Sequence, residues 1–164
     1  MTIKKELLSP CGLYCEVCAI YIADKSNNQK FKERLASLYK DNIAGKGKLP
    51  NSENITAEDI QCNGCLSDKR FLHCDKCPIR DCVFQKGYEG CHQCKEFPCK
   101  HIEKFPMTVG KKVILRAVPH WRKVGAQKWA EDERSRYICP QCGNKVFRGA
   151  AKCNRCKANL DLDE

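Results

Sequence analysis

Four cysteines towards the end of the chain have the spacing of a metal site: Cys139-Pro-Gln-Cys142-Gly143 and Cys153-Asn-Arg-Cys156 are two Cys-x2-Cys knuckles with ten residues between them. A two-residue spacer turns the backbone tightly enough to place both sulfurs about 2.3 Å from one ion, and two facing knuckles complete a tetrahedron. Gly143 suits the turn after the first knuckle. The segment from Asn144 to Phe147, followed by Arg148-Gly149-Ala150, predicts a short hairpin with Val146 and Phe147 in a small apolar core. Zinc is the expected ion, and rubredoxin-like iron is the competitor that uses the same ligands. Four thiolates close the site to further ligands, so its expected role is structural.

Eleven more cysteines lie before position 100: Cys11-x3-Cys15-x2-Cys18, Cys62-x2-Cys65, Cys74-x2-Cys77 with Cys82, and Cys91-x2-Cys94 with Cys99. Their spacing repeats the knuckle without fixing the partition. Eleven thiols plus one of His73, His92 or His101 would fill three four-ligand sites, and two sites with spare thiols is equally sound arithmetic. The expectation is two to four zinc ions in the whole chain, with an iron-sulfur cluster as the alternative in the N-terminal part. The first triplet has the spacing of radical S-adenosylmethionine enzymes. Only 146 residues follow Cys18, however, and Val17 stands where an aromatic residue is usual, which argues against radical chemistry.

Composition bears on what surrounds these thiols. Fifteen cysteines in 164 residues mean either a secreted disulfide scaffold or a set of metal sites. The opening Met-Thr-Ile-Lys-Lys-Glu-Leu-Leu-Ser-Pro lacks the pattern of a secretory leader, and no stretch is apolar enough for a membrane span. A reducing cytoplasm with thiols available for metal is the expectation. The formal charge of +10 would ordinarily suggest an anionic partner. Fifteen thiolates on about four zinc ions would contribute roughly −7 and bring the net charge near +3. Much of the basic excess is therefore expected to balance the metal sites.

The cysteine distribution predicts three parts: a cysteine-rich metal-binding module over 1–106, a helical connector over 107–136, and a zinc ribbon over 137–164. The predicted fold class is a small metal-stabilised α+β protein, with short helices and zinc knuckles in the first part. Phe31, Leu35, Leu38, Tyr39 and Ile43 recur at helical intervals before Gly45, Gly47 and Pro50 end the helix. Thr56-Ala-Glu-Asp59 resembles a capping box leading into Cys62. In the connector, Val109, Val113, Ile114, Ala117 and Val118 precede Pro119, and Trp121, Val124 and Trp129 follow it, predicting two helices broken near the proline. From Lys111 to Lys128 there are six basic residues and no acidic one. Lys111, Lys112, Arg116, Arg122, Lys123 and Lys128, with Trp121 to stack on a base, are thus candidate nucleic-acid contacts, helped by Arg148 and other ribbon cations.

A family resemblance is carried by Cys11-Gly-Leu-Tyr-Cys15-Glu-Val-Cys18, Cys62-Asn-Gly-Cys65, Cys77-Pro-Ile-Arg-Asp-Cys82, Lys86-Gly87 and Cys91-His-Gln-Cys94-Lys-Glu-Phe-Pro-Cys99. Over about residues 8 to 105 the chain resembles the prokaryotic cysteine-rich family known as domain of unknown function 3795. The resemblance implies a metal-binding module, and similar members continue into a Gly-x3-Trp element, here Gly125 to Trp129, and a terminal ribbon. It implies no reaction, and Cys74 is the cysteine least firmly within the pattern.

No nucleophile elbow, phosphate loop or His-Glu-x-x-His helix occurs. The expected function is a non-enzymatic zinc-binding interaction module whose partner is a protein or nucleic acid. An iron-sulfur redox or sensor protein is the alternative. The ribbon is expected to be an appendage, with the distinctive function in the module before it.

Overall fold

In the computed structural model, which describes residues 2–40 and 52–163, short helices and turns are strung between cysteines. After single 3-10 turns at Lys5–Leu7 and Cys15–Val17 come α1 (Ala19–Lys25), α2 (Gln29–Lys40), a turn at Ala57–Asp59, α3 (Leu72–Asp75), α4 (Pro78–Gln85), a turn at Cys91–Gln93, α5 (Lys100–Glu103) and the long α6 (Thr108–Arg136). The molecule is mostly helical. Among the described residues, extended pairing is confined to three isolated bridges, Leu8 with Tyr14, Ile138 with Lys145, and Lys152 with Asn159, so the expected β component reduces to turns that aim cysteines. A knuckle needs only a tight turn on either side of its ion, and so few residues remain between knuckles that ladders cannot lengthen.

Local chemistry explains where the helices begin. The Asn28 side chain accepts the Phe31 amide at 3.0 Å and starts α2, burying Leu35, Ala36 and Tyr39 on one face. Leu38 is 47% exposed, because it sits about 100° round the helix from Tyr39. Ile43 and the predicted stop at Gly45, Gly47 and Pro50 lie outside the described residues. The capping box at Thr56 and Asp59 forms, closing the turn that delivers Cys62. Pro78 occupies the first turn of α4, where a missing N–H costs nothing, while the Cys77 sulfur accepts the Arg80 amide at 3.5 Å.

The break in α6 is at Gly125, which adopts φ 80° and ψ 168°, and not at Pro119. Proline forfeits the bond to the carbonyl four residues back, here that of Leu115, a residue 40% exposed on the solvent side of α6. Gly125 can take the positive φ that turns the second half of the helix. Arg116 then reaches across the bend to Glu133, a carboxylate that is 1% exposed, with bonds of 2.5 and 3.2 Å.

Among the described residues, three apolar clusters fill the interior. One joins Leu7, Tyr14 and Val17 to Val113, Trp121 and Trp129 of α6 and to Tyr137, Cys139, Val146 and Cys153 of the C-terminal segment. A second packs α1 and α2 on Ile55, Ile60, Cys62 and Phe71, and a third packs α4 and α5 on Ile114 and Val118 with Cys11 and Cys91. Cysteines sit inside all three, so the expected metal ligands are also core residues. The C-terminal segment is integrated with the rest: Arg148 donates its amide to the Val17 carbonyl at 2.9 Å, and Phe147 packs on Phe31 with centroids 5.2 Å apart. The expected appendage is part of the main core.

Candidate metal centre

The sulfurs of Cys139, Cys142, Cys153 and Cys156 all lie within 4.8 Å of one another. Cys139 and Cys156 are 3.6 Å apart, and Cys142 and Cys153 are 3.7 Å apart. A tetrahedral ion with bonds of about 2.3 Å would hold its sulfurs about 3.8 Å apart, so the cluster has the dimensions of a single-ion site. The two knuckles repeat one backbone pattern. Gly143 donates to the Cys139 carbonyl at 2.9 Å and Lys157 donates to the Cys153 carbonyl at 3.0 Å, with φ 68° and 64° respectively. Backbone amides of Cys156 and Arg155 aimed at the Cys153 sulfur lower its thiol below the ordinary range, while its neighbour Cys156 is raised, so the first proton to leave this cluster comes from a thiol held by main-chain donors.

The eleven N-terminal cysteines are arranged more loosely. Among the described residues, no three of their sulfurs lie mutually within 4.8 Å. The Cys15 sulfur shares a hydrogen bond with the Ser9 hydroxyl at 3.0 Å and accepts the Cys65 amide at 3.3 Å, and the Cys62 sulfur accepts the Gly64 amide at 3.4 Å. Such amide-to-sulfur bonds orient and stabilise thiolates around metals. Burial, then the charge of Cys65, pushes the Cys15 thiol up to about 12. Burial raises Cys11 well above the ordinary range, with Cys65, Cys77 and Cys91 adding to the rise. Burial also takes Cys91 up to about 12, followed by Cys99, Cys94 and Cys82. Buried thiols that repel one another's negative charge are the donor set that a cation relieves.

Positive side chains are built into these groups. Arg80, buried at 7% exposure, donates to the carbonyls of Cys74 and Asp75 at 2.7 and 2.6 Å and lies 4.0 Å from the Cys65 sulfur. Arg148 reaches from the C-terminal segment to the Tyr14 carbonyl at 3.3 Å and feels Cys18, Cys15 and Cys11. Lys86 lies 3.7 Å from the Cys94 sulfur and 2.6 Å from Glu96. Sequence reasoning could weigh the total charge but had no signal for these three positions, because each reaches its thiols through tertiary contact.

The candidate nucleic-acid residues are dispersed by their bonds. Trp121 is 3% exposed, with His92 stacked on one side at 4.0 Å and Trp129 on the other at 4.3 Å, so it offers no face to a base. Lys111 donates to the Glu103 carbonyl, Arg116 binds Glu133, Arg122 holds the carbonyls of His92 and Cys94 at 2.7 and 2.9 Å, and Lys128 pairs with Asp132. Lys112 and Lys123 are exposed on α6. His73 Nε2 and His92 Nδ1 are buried without a hydrogen-bond partner, and His101 lines a cavity beside Cys99.

The profile of a family described as "Protein of unknown function (DUF3795)" matches residues 7–104. The chain belongs to this family. The matched DUF3795 region ends just before α6 and contains all eleven N-terminal cysteines, while the four-cysteine cluster lies beyond it. No curated protein and no solved structure matches the chain. Among the described residues, no helix of this DUF3795 member is long and apolar enough to cross a membrane.

Proposed function

We propose that the chain is a non-enzymatic interaction module organised by bound metal, with a structural zinc on Cys139, Cys142, Cys153 and Cys156. The observation that carries this reading is the closed set of four sulfurs, which leaves a tetrahedral ion no position for substrate or water. Zinc is preferred to iron for its prevalence in such two-knuckle sites. The remaining cysteines, the exposed Cys74 included, are read as ligands for further metal in the DUF3795 region, because Cys11, Cys62 and Cys91 are buried, most of the others are half-buried, and Arg80, Arg148 and Lys86 reach towards these thiols. Free thiols throughout suit the reducing cytoplasm proposed as its location.

A protein is the favoured partner. Trp121 is buried, and Lys111, Arg116, Arg122 and Lys128 are engaged within the chain, which weighs against nucleic acid. Metal analysis of full-length protein prepared without oxygen tests the main reading. At least one zinc per chain should be found, falling by one in C139S/C142S, and chelation should unfold the molecule. Full retention of structure after metal removal overturns the reading. Salt-sensitive binding to single- or double-stranded nucleic acid would reverse the preference for a protein partner.

A further inference from the structure

A cavity of about 450 Å³ opens between α4, the Cys91–Gln93 turn and α5, and Cys82, Cys91, Cys94 and Cys99 all line it. Ile79, Val83, Tyr88 and Phe97 supply apolar wall. The fold brings these ligands together from separate elements: Cys82 projects from α4, Cys91 and Cys94 bracket the 3-10 turn, and Cys99 precedes α5. Gly90 seats that turn against α6, since a Cβ there would stand 2.8 Å from the Trp121 ring. Arg122 clamps the same turn through the carbonyls of His92 and Cys94. The Cys91 amide donates to the Pro10 carbonyl at 2.8 Å.

Four thiols around one cavity are a complete ligand set either for one zinc ion or for an iron-sulfur cluster. Spacing separates the two. The C-terminal site, with sulfur contacts of 3.6 and 3.7 Å, shows what this chain builds around a single-ion position. The cavity cysteines are not drawn into such a cluster: no three of their sulfurs lie mutually within 4.8 Å, and the cavity they line is larger than one ion fills. A bridged core of irons and sulfides holds its terminal thiolates further apart than a single ion does, and apolar walls suit its sulfides.

We propose that Cys82, Cys91, Cys94 and Cys99 hold an iron-sulfur cluster of two or more irons in this cavity. The assignment rests on reading the DUF3795 cysteines as metal ligands and goes beyond it in naming the group and its four ligands. Lys86, 3.7 Å from the Cys94 sulfur and 2.6 Å from Glu96, is the positioned cation that offsets both the negative cluster and this carboxylate; its exchange for an uncharged residue leaves Glu96 unneutralised beside the cluster and disfavours the reduced, more negative state.

The test uses full-length protein purified without oxygen or reconstituted with ferrous iron and sulfide. Expected are iron and acid-labile sulfide in equal numbers, about two to four each per chain, with broad absorbance near roughly 400 nm. C91S/C94S should lose iron, sulfide and colour while keeping the C-terminal zinc, and C139S/C142S should lose zinc while keeping iron. Should C91S/C94S fail to fold, Lys86→Met provides the second measurement: it should keep the cluster and move its midpoint to a more negative potential. A colourless parent that binds zinc here, with one zinc lost in C91S/C94S, overturns the cluster and leaves the metal-ligand reading standing. Iron retained in folded C91S/C94S, or an unmoved potential in Lys86→Met, overturns the location. A parent that binds metal at the C-terminal site alone overturns both.

Discussion

Trp121 and Trp129 stack with centroids 4.3 Å apart and planes 7° from parallel, although Gly125 turns the helix between them. The bend makes the stack: it returns the second half of α6 so that Trp129 meets Trp121, and the Tyr14 ring lies edge-on to Trp129 at 5.8 Å. Trp129 is fully buried, and all three clustered rings belong to the core that joins the first and last segments. Trp129→Ala should therefore cost about 3–5 kcal/mol, measured by denaturant unfolding of metal-loaded protein. A loss below about 1 kcal/mol would mean that this stack is not a cohesive centre.

Arg116 and Glu133 tie the two halves of α6 from inside the core. Glu133→Ala leaves the guanidinium without its partner and should destabilise by about 3–5 kcal/mol, while an apolar pair at both positions should cost less than either single change. A double-mutant cycle followed by thermal unfolding reads the coupling.

Gly64 sits between Cys62 and Cys65 with φ 121°, and a Cβ there would collide with the Glu6 carbonyl. Gly64→Ala combines backbone strain with a clash against main chain and should cost about 2 kcal/mol or more. Metal stoichiometry of the DUF3795 region should fall with it, whereas the C-terminal zinc should remain.

Lys157 holds φ 64° in the second knuckle, where the first uses Gly143 at 68°. Lys157→Gly removes the side-chain penalty of that conformation and should raise the stability of the zinc-loaded ribbon by about 0.5–1 kcal/mol, less the lost bond from its ammonium to the Asn154 carbonyl. Competition with a zinc chelator, comparing parent and variant, checks it; faster zinc loss from Lys157→Gly would contradict the account.

Arg148 connects the ribbon to the first cysteine triplet through its amide and its guanidinium. Breaking the proposed zinc site with C142S should expose the Arg148 amide to hydrogen exchange by at least tenfold and weaken protection around Val17. Arg148→Ala should loosen the same contact without releasing the zinc. Unchanged exchange in both variants would make the ribbon the independent appendage that its linear placement suggests.

The cysteine spacing alone determined the C-terminal four-sulfur cluster, since two knuckles confine four sulfurs to one small region whatever surrounds them. The capping box at Thr56 and the helix through Leu35 and Tyr39 were equally legible, because both depend on contacts within a few residues. Pro119 was misleading: its cost depends on whether water reaches the Leu115 carbonyl, which only the packing of α6 decides. The basic stretch from Lys111 to Lys128 read as one face, yet Glu133, Asp132 and two carbonyls of the Cys91–Cys94 turn claim several of its members. Tertiary structure likewise gathered Cys82, Cys91, Cys94 and Cys99 around one cavity and brought Arg80, Arg148 and Lys86 to the thiols. Sequence spacing governs geometry across a short turn, but which thiols share an ion and which cations balance them are matters of long-range contact, where the chain between leaves many arrangements open.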